Sequence, residues 1–198
     1  SNRKKNFGYR VDDRKVYRIY SGENDDKAYL NTILCLDKNG KFPNEDNNVG
    51  TYKSIGAAEE ALKNIQIDKN GSGTKTNLSP EDIQKITWLM RNAVLPEDSS
   101  EMIDIKLSKI FEEQISQTQN DGNPLTLEFI KENLTKDDLV FALQATIWSI
   151  TNPSSGSTYF GTTDGSYYDG LFGNNGNRGR QGAYIQIIKN YYESHYMS

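Results

Sequence analysis

The chain has 198 residues, enough for one sizeable domain with a real core, although only 35% are hydrophobic and mean hydropathy is −0.76. Lys and Arg number 23 against 27 Asp and Glu, giving a formal charge of −4, and no basic stripe of the kind that carries a nucleic-acid interface is present. No apolar run reaches membrane-span length, and the opening Ser1-Asn2 without Met reads as the start of an excised domain. One cysteine, Cys35, excludes an internal disulfide and multi-cysteine metal centres. One histidine, His195, argues against a His-rich metal site and weakens any Cys–His or Ser–His–Asp reading. No cofactor and no metal site are expected.

In chain order, the first dozen residues read as a polar lead-in. Lys15–Tyr20 alternates as a strand, Ser21–Asp26 is a turn, and Ala28–Leu36 reads as a second strand closed by Asp37-Lys38-Asn39-Gly40. A polar loop runs to about residue 52, and Ser54 can cap a short helix through Leu62. Ile67–Thr76 is a Gly/Ser/Asn/Lys loop. Ser79-Pro80-Glu81-Asp82 is a helix start, with an apolar face of Ile83, Ile86, Leu89, Met90 and Ala93. A less periodic helix follows over Met102–Ile115. Thr135-Lys136-Asp137-Asp138 is a capping box that opens a helix through Trp148, which Asn152-Pro153 ends. Residues 152–178 are rich in Gly, Ser, Asn and Tyr, and a last amphipathic helix is expected over about 181–195. No Gly-rich phosphate loop opens a helix.

Two segments carry possible chemistry. Leu34-Cys35-Leu36-Asp37 ends the second strand, and Leu143-Gln144-Ala145-Thr146-Ile147-Trp148 lies inside an apolar helix. Gln144 and Trp148 are four apart and share a helix face, and an amide in so apolar a helix needs a partner. This pair resembles the thioester domains of Gram-positive bacterial surface adhesins. In that family a strand cysteine flanked by apolar residues joins a helix glutamine in the pattern apolar-Gln-x-x-apolar-Trp. The order of the elements is similar too, with Leu143 standing where that family often has Thr.

The resemblance implies an internal Cys35–Gln144 thioester and capture of a primary amine as a covalent amide, in a single-turnover reaction rather than enzymatic catalysis. The partner would be a host or surface protein, or a small molecule, bearing such an amine. The domain would be extracellular, at the cell surface, within a larger wall-anchored protein. No nucleic acid and no membrane insertion are expected. Trp148 and Tyr29 are candidates to shield the bond from water. Asp37 either accepts a proton from the incoming amine or caps the turn at Gly40.

The expected fold is a single α+β domain. An antiparallel β-sandwich or barrel-like part (about 14–52 and 152–180) would carry the cysteine strand, and a helical part (about 54–151) the glutamine helix. Bland readings stand beside this one. A lone apolar-strand cysteine is commonly a small buried hydrophobe, and Gln144 can be a buried amide bonded to a neighbouring strand. Gln119 and Gln181 compete as acyl donors but lack the apolar helical frame. Other functions weighed are a cysteine transferase or protease of transglutaminase or papain type, with His195 the only base, and a non-covalent sugar- or protein-binding module built on residues 156–184.

Overall fold

The computed structural model of the chain describes residues 7–11, 17–21, 28–37, 39, 58–112, 127–153 and 176–197; the side chains before Leu34 lie outside what it describes. Strands β1 (Phe7–Val11), β2 (Tyr17–Ser21) and β3 (Ala28–Ile33) form an antiparallel meander in that order. Phe7 pairs with Ser21 and Val11 with Tyr17; Tyr17 in turn pairs with Ile33, and a register shift falls between Ile19 and Tyr20. The remaining elements are helix α1 (Ala58–Leu62), the two-residue strands β4 (Gln66–Ile67) and β5 (Thr76–Asn77), and helices α2 (Pro80–Asn92), α3 (Ser100–Glu112), α4 (Leu127–Asn133), α5 (Lys136–Thr151) and α6 (Gly176–His195).

This architecture corrects the expected fold. Among the described residues the chain is mainly helical, with one three-stranded meander and one short ribbon, and no sheet faces another or closes into a barrel. In the second half of the expected β part, the described residues from Gly176 onward are helix, and residues 154–175 lie outside the described ones. The polar lead-in instead holds β1, where Phe7, Tyr9 and Val11 alternate with Gly8 and Arg10. The cysteine strand stops at Ile33, so Cys35 follows the strand and is not part of it. The presumed loop before α2 is a ribbon whose turn needs Gly71 and Gly73 at φ of 72° and 87°, a region closed to most side chains.

The helix ends follow their sequence signals. The Ser79 side chain accepts from the Asp82 N–H, and Pro80 occupies the first turn, where a missing N–H costs nothing. Thr135 accepts from the Asp138 N–H while the Asp138 carboxylate accepts from the Thr135 N–H, a complete capping box. Helix α5 lies at the centre: Leu139 to Trp148 are all buried, so it is apolar on every side rather than along one stripe. It packs against α2 and α6, whose contributions include Ile86, Leu89, Tyr184, Ile185, Ile188 and Tyr192. The buried Tyr192 hydroxyl accepts from the Val94 N–H at 3.0 Å, tying α6 to the chain just after α2. Leu34 and Leu36 pack against the same core from either side of Cys35. A polar side chain between Leu139 and Trp148 thus has no water to turn to, and this is what makes Gln144 informative.

Candidate functional site

The Gln144 side chain is 3% exposed, and its two polar ends must be satisfied inside the protein. Both go to one residue 109 positions away. The Cys35 N–H donates to Gln144 Oε1 at 2.7 Å, and Gln144 Nε2 donates to the Cys35 carbonyl at 2.7 Å. These two bonds close a ring that contains the Cys35 Cα and the Gln144 carboxamide carbon, and the cysteine side chain branches from that Cα. They also explain where β3 ends. The main-chain groups of Cys35 are committed to a helix side chain, leaving none for a ladder.

The thiol itself is half-buried and donates to the Asp37 carbonyl at 3.4 Å. Burial pushes its pKa above the ordinary value. A main-chain hydrogen bond at Asp37 and the Trp148 indole N–H oppose that rise, and the Asp37 carboxylate adds to it by repelling the thiolate. Trp148, one turn after Gln144 and fully buried, therefore bears on the sulfur as well as filling the core.

Asp37 is fully engaged in structure. Its Oδ1 accepts from the Asn39 N–H at 3.0 Å and from Asn152 Nδ2 at 2.9 Å, and its Oδ2 from the Asp68 N–H at 2.9 Å. Gly40, whose turn Asp37 was expected to cap, lies outside the described residues. Tyr29 lies in β3 with its main chain paired to Tyr20, and its side chain lies outside the described residues. Gln119 and the Gln181 side chain also lie outside them. His195 stacks on Tyr191 with ring centroids 4.0 Å apart, and on Trp88 at 6.3 Å. Its Nδ1 meets the Tyr191 carbonyl at 2.8 Å, and no histidine figures among the groups that shift the Cys35 thiol.

Sequence reasoning missed two members of the site, Asn152 and Asp68. Asn152 reads as a helix stop, which it is: its N–H bonds to the Trp148 carbonyl at 2.8 Å. The available signal was its spacing, since Gln144, Trp148 and Asn152 recur at every fourth residue. Nothing local in the sequence marks Asp68, whose role depends on a tertiary contact.

A groove of about 480 Å³ is lined by Trp88, Arg91, Asn92 and Tyr196 among others, and its wall includes neither Cys35 nor Gln144. Among the described residues no cluster of three or more His, Cys, Asp or Glu could hold a metal ion, and no helix is long and apolar enough to cross a membrane. Comparison with protein-family models, with curated proteins and with solved structures finds no match to this chain.

Proposed function

We propose that the chain is a covalent-capture domain in which Cys35 and Gln144 form an internal thioester. The observation that supports this reading is the two-point hydrogen bond between the Gln144 carboxamide and the main chain of Cys35. A thiol and an amide carbonyl must be held together before one can attack the other, and such pre-positioning is a large part of the rate of any intramolecular acyl transfer. The Cys35 N–H already donates to Oε1, the atom that gains negative charge as sulfur adds to the carbonyl carbon.

The step balances simply. The Sγ–Cδ bond forms, the Cδ–Nε2 bond breaks, the thiol proton goes to the leaving nitrogen, and ammonia departs. An incoming primary amine then reverses the roles. Its nitrogen bonds to Cδ, the sulfur leaves, and an amine proton ends on the thiol. The product is a stable amide, the reactive bond is consumed, and no turnover follows. The partner is a protein or small molecule presenting a primary amine. Action at a bacterial surface, as part of a larger wall-attached protein, rests on the family resemblance alone.

A strut role for Gln144 is the competing reading, since its two bonds also satisfy a buried amide. A cysteine enzyme would need His195 as its base, and that ring stacks on Tyr191 and Trp88. Incubation with methylamine followed by peptide mapping separates these readings. Covalent capture predicts one methylamide, at Gln144, with none in Cys35→Ala. An unmodified Gln144 in wild-type protein contradicts it.

A further inference from the structure

Gln144 and Trp148 on α5 and Asn152 at its C-cap stand four residues apart, and each acts on the segment that follows β3. Gln144 holds Cys35 by its main chain, Trp148 bears on the Cys35 thiol, and Asn152 reaches Asp37 two residues later. Asn152 is fully buried. Its Nδ2 serves two acceptors, Asp37 Oδ1 at 2.9 Å and the Asp68 carbonyl at 3.1 Å. The Thr151 hydroxyl, 2.9 Å from Asn152 Oδ1, shares its one proton between that oxygen and the Ile147 carbonyl at 3.1 Å. Asn39 Nδ2 donates to the same Asp68 carbonyl at 2.8 Å. Asp68 in turn is set by its own turn, where its carboxylate accepts from the N–H groups of Ser72 and Gly73.

The consequence is a two-point fixation. The short segment Cys35–Asp37 is held at its start by Gln144, on α5, and at its end by Asn152, the residue that caps α5. Leu34 and Leu36 seat it on the core, and the Asp68 N–H holds the other Asp37 carboxylate oxygen. Asn152 ties Asp37 directly to the end of the helix that carries Gln144, which limits the freedom of the thiol relative to the carbonyl carbon. We propose that Asn152 is a positioning residue for thioester closure, acting through Asp37 to hold Cys35 in register with Gln144. This inference rests on the reading of Cys35 and Gln144 as a thioester pair.

The test follows closure in time. Chain recovered from inclusion bodies in urea, with the thiol free and Gln144 still an amide, is folded by dilution, and loss of ammonia is read by intact mass. Asn152→Ala removes the anchor. Asn152→Asp keeps its shape but sets a carboxylate against the Asp37 carboxylate and the Asp68 carbonyl. Positioning predicts closure in the order wild type, then Asn152→Ala, then Asn152→Asp. Each variant should be slower than wild type by about tenfold or more, since a misplacement of about 1 Å can cost roughly a hundredfold. Folding is checked separately in a Cys35→Ala background, where no bond can form and each variant should stay native at the assay temperature. A space-filling role would instead rank the isosteric Asp above Ala, and that order overturns the proposal. So does closure at the wild-type rate in both variants, or outright unfolding of both, which would assign Asn152 to the fold. A wild-type chain that never loses ammonia overturns the thioester reading itself, a result distinct from the other three.

Discussion

A carboxamide that spends both polar ends on one main-chain residue cannot turn away from it without leaving buried groups unpaired, at roughly 1–3 kcal/mol for each. Gln144 is therefore locked onto Cys35 before any bond forms. Its replacement by Ala should abolish both ammonia loss and amine labelling, and should destabilise the open protein by a few kcal/mol, read by denaturant unfolding against a Cys35→Ala reference. The thiol sets the pH dependence. Burial raises its pKa, so at neutral pH the thiolate that attacks is scarcer than for an exposed cysteine. Closure of freshly folded protein should accelerate as pH rises through the alkaline range and continue to do so beyond the ordinary thiol pKa. A rate flat across that range contradicts attack by the Cys35 thiolate. At this scale Cys35, Gln144 and Trp148 were legible because each is an oddity in its local setting: a sole cysteine, an amide in an apolar helix, and an indole one turn later. Asn152 and Asp68 were illegible because one looks like an ordinary helix stop and the other like an ordinary loop acid. Their partners are brought to them only by the folded chain.

The element that matters most is α5, which carries Gln144 and is capped by Asn152. Its start depends on the reciprocal bonds of Thr135 and Asp138. Thr135→Ala removes the side-chain half of that box and should cost about 1 kcal/mol of stability, measurable by chemical denaturation, while leaving the Gln144 contact two turns away in place. Thioester yield at moderate temperature should be unchanged. Helices with caps and sustained periodicity, α2 and α5, were read from sequence at nearly their true positions, because the signals that define them lie within a few residues. The strands were read less well. An alternating pattern does not say which main-chain groups a distant side chain will claim, and Gln144 ends the ladder before Cys35. The expected sandwich fails for a related reason. Sheet-on-sheet packing is a statement about partners, and among the described residues the chain from Gly176 to His195, where part of the second sheet was expected, is helix.

For the whole molecule, a bond between Cys35 and Gln144 ties the segment after the meander to the central helix across most of the chain. By the chain-entropy argument applied to disulfides, closing a loop of this size stabilises by about 4–5 kcal/mol, and by less where the denatured state is compact. For a domain of this length the closed form should melt on the order of 10 °C above Cys35→Ala, and methylamine treatment should remove the difference by reopening the loop. Whether the bond exists is read from the intact mass of freshly prepared native protein. The closed domain should have a mass one ammonia below that of the sequence, with no titratable thiol until an amine is added. The full sequence mass together with a free Cys35 thiol would contradict it.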